Sequence, residues 1–357
     1  MWASHQDGYV YSYYAWLLTK LYEERLASLG IGDCVIAYRK GLGSTVDFSR
    51  QVFDEICRRS SCFAIALDVS SFFDCIDHRN LKKEWQETLK VEALPPDHYS
   101  VFKSLTRWSK IDQNAAYKVL GVTQKNAPRR LFKNAEAFRQ FVSQNREIVQ
   151  KNKNPWGIPQ GSPMSAILSN LYMIPFDMAM KALADQIGGY YRRYCDDILW
   201  ICGSEYKDAV LDQVDLALES RGKQLLRKEE KTDISHFRVD GDSLTCDKPF
   251  QYLGFEFNGT KRKIRFKTLA RYWAKVIRSC GAMRRSHKKN LKKGYRGSVR
   301  RKKINQKYTH LGRGNFVTGY AYRADAQMGC QSGIRSQMRG HYERITEELN
   351  KPILPSN

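Results

Sequence analysis

Tyr194-Cys195-Asp196-Asp197 is the stretch on which the reading of this chain turns. It lies between Tyr190 to Arg193 and the apolar run Ile198, Leu199, Trp200, Ile201, Cys202, a pattern that predicts two strands joined by a tight acidic turn. Strand alternation sends neighbouring side chains to opposite faces, but at a turn Asp196 and Asp197 can both reach one spot in front of the sheet edge. Two like charges repel, and a hard divalent cation held through oxygens, as Mg²⁺ is, would offset that repulsion. On these residues alone a plain Asp-Asp hairpin turn stays open, because Asp tolerates turn geometry.

Working outward, the apolar run Cys62 to Leu67 ends at Asp68, which predicts a buried strand delivering a carboxylate at its C-terminal edge. The alternative makes Asp68 or Ser70 a cap for a helix over Asp77 to Leu89. Between Asp68 and the acidic turn lies the loop Asn154 to Pro163. Ser162 there suits an N-cap and Pro163 a first helical position, so a helix should run from Met164 to Met173. Gln160 precedes Gly161, where a backbone can approach a base or sugar closely. Upstream, Val35 to Thr45 reads as a strand and a basic turn. Arg39 and Lys40 are candidates for a triphosphate, with a solvated basic turn as the bland alternative. Tyr9 to Leu29 has helical spacing and ends at Gly30 and Gly32. Residues 81–153 read as a mostly helical outer lobe without chemistry of its own.

At 357 residues, 42% of them hydrophobic and 12% aromatic, the chain should fold into two or three subdomains. Its net charge of +23 is concentrated. From Lys261 to Arg313 there are 21 Lys or Arg and no acid, which leaves 39 basic against 37 acidic residues elsewhere. Such a block suits a phosphate backbone better than an anionic membrane surface. The nine cysteines form no CxxC pair and no zinc-like spacing. No run approaches the roughly 18 apolar residues of a membrane span and no signal sequence is evident, so an intracellular protein is expected.

The ordered set of motifs resembles the reverse transcriptase family. Leu67-Asp68-Val69-Ser70-Ser71-Phe72-Phe73 resembles its first catalytic motif, Gly157-Ile158-Pro159-Gln160-Gly161-Ser162-Pro163 its second and Tyr194-Cys195-Asp196-Asp197 its third. Glu230-Lys231-Thr232 and Phe250-Gln251-Tyr252-Leu253-Gly254-Phe255 resemble the lysine motif and primer-grip hairpin that follow. The resemblance implies an α+β right-hand polymerase fold: an N-terminal helix and fingers over 1–60, a palm of antiparallel sheet and helices over 61–260 with a fingers insertion at about 81–153, and a basic helical thumb over 261–357.

It further implies an RNA-directed DNA polymerase in which Asp68, Asp196, Asp197 and the Val69 carbonyl hold two Mg²⁺ ions about 3.5–4 Å apart, with Mn²⁺ as an alternative. Phe73 would sit under the incoming sugar and exclude a 2′-hydroxyl, favouring dNTP. Gln160 and Gly161 would lie against the nucleotide, with Arg39, Lys40 and Lys231 on the triphosphate and Lys228 as the alternative to Lys231. Tyr194 would support the primer terminus, with Cys195 facing the primer or the palm core. Leu253 and Gly254, and in the thumb Lys292, Lys293, Arg300 and Arg301, would meet primer and template. The expected partners are a structured RNA template, a cDNA product and dNTPs, with no membrane and an open oligomeric state. By elimination the branch is a defence-associated bacterial enzyme in the cytoplasm with a dedicated noncoding RNA. Against a retron enzyme stands the missing Asn-Ala-x-x-His element, and for it the triplet Val317-Thr318-Gly319. Two other readings are an RNA-binding protein with a vestigial site, and protein-primed or template-independent DNA synthesis.

Overall fold

The computed structural model describes residues 5–296, 299 and 301–352. Its centre is a five-stranded antiparallel sheet built from β1 (Cys62–Asp68), β4 (Tyr190–Tyr194), β5 (Asp197–Cys202), β6 (Asp233–Asp240) and β7 (Ser243–Cys246), in the order β4-β5-β1-β6-β7. Two strands lie earlier in the chain than β4. They are β2 (Ser109–Ile111) and β3 (Val149–Lys151), which pair only with each other. A three-stranded sheet follows β7, made of β8 (Phe250–Tyr252), β9 (Phe255–Phe257) and β10 (Arg262–Ile264).

The unbroken apolar character of β1 and β5 has a direct cause: the central sheet is covered on both faces. On β5, Ile198, Trp200 and Cys202 enter one hydrophobic cluster with the helices Pro163–Tyr172 and Ile174–Gln186, while Leu199 and Ile201 enter another. On β1, Ile65 and Leu67 face the first cluster and Cys62 and Ala64 the second. The second cluster also holds Phe250, Phe255 and Phe257 of the smaller sheet and Tyr272, Val276 and Cys280 of the long helix Phe266–Lys292. A half-buried strand would need polar residues at alternate positions; Cys62 to Leu67 and Ile198 to Cys202, covered on both faces, take none.

Helix ends follow local chemistry. Ser162 caps Pro163–Tyr172 by accepting from the Met164 amide, as the loop sequence predicts. Asp77 caps His78–Leu89 by accepting from the Asn80 amide, so neither Asp68 nor Ser70 does so. The first helix, His5–Leu29, turns Leu18, Tyr22 and Leu26 inward and leaves Tyr13 and Trp16 about half exposed.

One local expectation is corrected. Val35 to Ala37 is a segment with a single bridge to Arg193, not a strand. The outer lobe at 81–153 is mostly helical, with the short β2–β3 ribbon running through it. After β10 come the helices Phe266–Lys292 and Arg301–Tyr308, a π-turn over Phe316–Ala321, and the helices Tyr322–Met328, Ile334–Gln337 and His341–Asn350. Among the described residues no helix is long and apolar enough to cross a membrane.

A fully buried ion pair lies beneath the β4–β5 turn. Arg193 Nε and Nη2 donate to the two carboxylate oxygens of Asp177 at 2.7 and 2.6 Å, with both side chains 0% exposed. Tyr191 donates to the same carboxylate at 2.7 Å, and Arg193 Nη1 donates to the Cys195 carbonyl at 3.0 Å. The pair is therefore well supplied with hydrogen bonds, which a buried charge requires. Asp177→Ala should strand the guanidinium and lower unfolding stability by about 3–5 kcal/mol, read from urea denaturation.

Candidate active site

The site is assembled from strand ends. β1 and β5 pair so that Asp68 stands directly opposite Asp197, and Asp196 occupies the turn one residue earlier. Strand parity puts Asp68 on the face shared with Cys62 and Ala64, and Asp197 on the face shared with Leu199 and Ile201, so both point to the same side of the sheet. The Val69 amide donates to the Asp196 carbonyl at 3.3 Å, tying the end of β1 to the turn.

The turn itself is held in a left-handed conformation at Cys195, φ +59°. Cys195 is buried in the sheet's first cluster, and its thiol meets the Tyr38 hydroxyl. Burial is the main cause that pushes this thiol up to about 11. Tyr38 has a positive φ of its own, and its ring lies 6.3 Å from that of Tyr194. Arg193 grips the turn from below through the Cys195 carbonyl.

Charge at the carboxylates is unevenly balanced. Lys228 Nζ and Lys231 Nζ both reach Asp68 Oδ2, at 3.2 and 3.1 Å. Enclosure by surrounding protein, and then the charges of Asp196 and Asp68, push the Asp197 carboxyl up to about 7. Its surface is nonetheless open to solvent, so the upward direction, to which both neighbouring charges contribute, is what the chemistry rests on. Three hard-oxygen side chains short of countercharge suit divalent cations better than thiol or imidazole donors would. Among the described residues no group of three His, Cys, Asp or Glu is drawn together tightly enough to enclose one ion, and two lysines lean on Asp68. The fit is one of donor chemistry and backbone register.

Around these carboxylates the other sequence candidates fall as follows. Phe73 is half-buried beside Phe72, with ring centroids 5.4 Å apart, and its carbonyl accepts from the Ile158 amide at 2.9 Å, joining the first and second motifs. Gln160 and Gly161 are exposed on the loop before Ser162, and Gly161 has φ +92°. Gly157 (φ +88°) could not carry a side chain, because a Cβ there would stand 3.0 Å from the Asp74 carbonyl oxygen. Leu253 and Gly254 form the β8–β9 turn with φ +43° and +94°. Lys40 is exposed and in no ion pair among the described residues.

Arg39 is the candidate that the structure redirects. Its guanidinium is paired with Glu23 at 2.6 Å and donates to the Gly32 and Val35 carbonyls, so it fastens the first helix to the 32–39 segment instead of standing free for an anion. Lys292 and Lys293 are exposed at the end of the long helix; Arg301 donates to Asn350 Oδ1 at 2.8 Å; Arg300 lies outside the described residues. Sequence reading missed the Arg193–Asp177 pair. The only signal for it was an arginine at an inward strand position.

The profile of the family described as reverse transcriptase (RNA-dependent DNA polymerase) matches residues 36–257, more than half of the chain. The chain belongs to the reverse transcriptase family. Its fold is accordingly the right-hand polymerase fold, with the central sheet as palm. A curated protein, the retron Mx162 reverse transcriptase of Myxococcus xanthus, is 29% identical over 109 residues. That alignment covers 30% of this chain and about a fifth of the relative (21%). Among solved structures, telomerase from Candida albicans in complex with a TWJ fragment of telomeric RNA is similar over 95% of this chain and 48% of its own, at 15% identity and TM-score 0.43. Apo telomerase from Candida tropicalis truncated from its C-terminal domain is similar over 70% of this chain and 44% of its own, at 14% identity and TM-score 0.41.

In this chain the Cys195 thiol is both buried and held neutral, whereas Cys330 is exposed. Because the thiolate is the reactive form, brief alkylation of the native protein at neutral pH should label Cys330 and spare Cys195. Peptide mass spectrometry reads the difference, and labelling of both should appear only after denaturation.

Proposed function

We infer that the protein is an RNA-directed DNA polymerase that extends a primer 3′-hydroxyl with dNTPs on an RNA template. The observation that carries this reading is the register of Asp68 opposite Asp197 beside Asp196, inside a chain of the reverse transcriptase family. Asp68, Asp196, Asp197 and the Val69 carbonyl would hold divalent cations, Mg²⁺ first and Mn²⁺ as the alternative. Such cations, when bound, acidify the primer hydroxyl and neutralise charge on the departing pyrophosphate.

The chain's own residues then bind and orient. Lys228 and Lys231, already held on Asp68, are near enough to the carboxylates to turn toward a triphosphate once a cation takes their place. Lys40 is free to do the same from the 32–45 segment. Gln160 and Gly161 offer an exposed side chain and an open backbone to the nucleotide, and Phe73 presents the ring that a 2′-hydroxyl would strike. Tyr194 with the Leu253–Gly254 turn would carry the primer end, and Lys292, Lys293, Arg300 and Arg301 the duplex backbone. The acid-free block at 261–313 supports a tightly bound RNA, whose phosphates would relieve its self-repulsion.

A dedicated noncoding RNA and a role in bacterial defence against phage are the finer form of this reading. They rest on the absence of the Asn-Ala-x-x-His element from the sequence. The retron reading is favoured by the relative from Myxococcus xanthus and by Val317-Thr318-Gly319. That triplet has a structural role as well: Val317 is buried, Thr318 donates to the Gly312 carbonyl at 2.8 Å, and a Cβ on Gly319 would meet the Gly314 backbone at 2.8 Å.

Purified without nuclease and supplied with labelled dNTPs and Mg²⁺, the wild type should make DNA complementary to its copurified RNA. Asp196→Ala with Asp197→Ala should reduce incorporation by at least about a thousandfold, the scale of lost transition-state electrostatics. RNA bound without any DNA made would favour an RNA-binding protein, and product without a template would favour untemplated or protein-primed synthesis. On the same assay Phe73→Ala should raise incorporation of NTP relative to dNTP by about tenfold or more, since removing a steric block is worth about 1–3 kcal/mol; an unchanged ratio would leave Phe73 a core aromatic.

A further inference from the structure

The outer lobe carries a feature that the carboxylate site does not use. Two cavities, of about 540 and 360 Å³, lie against the segment 151–154 and share Lys151, Asn152, Lys153 and Asn154 as a common wall. Lys103 and Arg107 line the larger and Lys110 the smaller. With Lys151 and Lys153 that makes five basic side chains, all exposed and none in an ion pair among the described residues. Asp74 is the one acid among the lining residues. From 99 to 157 the chain has twelve Lys or Arg and three Asp or Glu.

Rings interleave with these charges. Tyr99 lies in the larger cavity with Lys82 and Lys103 over its face at 5.3 and 5.9 Å; Trp108 and Trp156 lie in the smaller, with Lys110 over Trp108 at 5.5 Å. Unsatisfied cations tracking past aromatic faces are the chemistry of single-stranded nucleic acid, whose phosphates take the charge and whose unstacked bases take the rings. A duplex keeps its bases stacked on one another and has no use for the rings.

The floor of this groove is fastened to the second catalytic motif. The Gly157 carbonyl accepts from Trp108 Nε1 at 3.3 Å and from Asn152 Nδ2 at 3.4 Å, and it lies 2.8 Å from His78 Nε2. Asn152 Nδ2 also donates to the Thr106 and Trp156 carbonyls. The side chains that shape the groove are thus the ones that hold the start of the Pro-Gln-Gly loop.

We propose that this groove on the outer lobe binds an unpaired RNA segment, apart from the carboxylate site, and that its occupancy steadies the 157–163 loop. The choice of RNA over DNA rests on the polymerase reading above. Lys103→Gln with Arg107→Gln and Lys153→Gln removes three exposed charges and leaves the buried framework intact. The probe is fluorescein-labelled oligouridine of about twelve nucleotides, the length scale of a single-strand site, with oligothymidine and a blunt RNA duplex of equal length beside it. Affinity for oligouridine should fall about tenfold and its salt slope by about two, roughly 0.7 for each single-strand phosphate no longer neutralised, with duplex binding within about twofold of wild type.

On wild type, 4-thiouridine in the same probe should crosslink to peptides carrying Tyr99, Trp108 or Trp156. Unchanged affinity in the variant, or crosslinks confined to 261–313, would overturn the site. Equal loss for oligothymidine from equal starting affinity would overturn its assignment to RNA. Incorporation of dNTPs is measured separately on the wild type. Lost affinity in the variant with no DNA synthesis by the wild type keeps the groove and removes the polymerase, whereas synthesis with unchanged affinity does the reverse.

Discussion

The buried pairing of Arg193 with Asp177 is the constraint around which this molecule is arranged. A guanidinium with no exposure must find partners for its charge and its five N–H groups, and every partner it finds belongs to the acidic turn or to a helix packed beneath it. Asp177 comes from the helix Ile174–Gln186, Asn170 from the helix that follows the Pro-Gln-Gly loop, and the Cys195 carbonyl from the acidic turn itself. Asn170 in turn donates to the Ala37 carbonyl, and the Arg193 backbone bonds Cys34 and Ile36. One side chain therefore fixes the height of the acidic turn relative to two helices and the 32–39 segment. An apolar residue of like volume could fill the space but could not set those distances.

The motif-bearing elements were legible in the sequence because each is marked by an abrupt change of chemistry. An apolar run that stops at Asp68, a Ser-Pro pair opening a helix, and two adjacent carboxylates between strands each announce a boundary. What was not legible shares a different property. The β2–β3 ribbon has strands of three residues with no buried alternation, so its pattern is that of any polar segment. Arg39 reads as a candidate for a triphosphate or as part of a solvated basic turn, because its partner, Glu23, lies sixteen positions away on a different element. Arg193 stands at an inward strand position although charge ordinarily marks the wet face, and nothing in its neighbourhood in the sequence names Asp177 as its partner. The helical spacing over Tyr9 to Leu29 does not say which face is covered, and the buried face is the one carrying Leu18, Tyr22 and Leu26 while Tyr13 and Trp16 stand about half exposed. Long-range pairing decides all four, and periodicity carries no information about it.

Electrostatics divides the molecule into regions with opposite needs. At the carboxylates, like charges are crowded by the pairing of two strands, and the free protein answers with Lys228 and Lys231. Along 261–313, apart from Arg262, which pairs with Asp54 at 2.7 Å, and on the outer lobe, positive charge has no ion pair among the described residues, and the cost of leaving it so falls when phosphate arrives. The internal lysines make the acidic site tolerable in the absence of any ligand, and the open basic surfaces make binding of a polyanion favourable from more than one direction.

The double covering of the central sheet has a consequence for how the catalytic register survives thermal motion. In a sheet buried on one face only, sliding a strand by one residue exchanges a single hydrophobic set for solvent. Here alternate residues of β5 belong to separate clusters, so the same slip would drive Trp200 into space shaped for Leu199 and Leu199 into space shaped for Ile198, moving each from its own cluster to the other, with mismatches on both sides at once. It would also carry Asp197 about 3.3 Å along the sheet away from Asp68. The two cores act together as a vernier, holding an alignment of oxygen atoms to a finer tolerance than the backbone ladder would keep by itself.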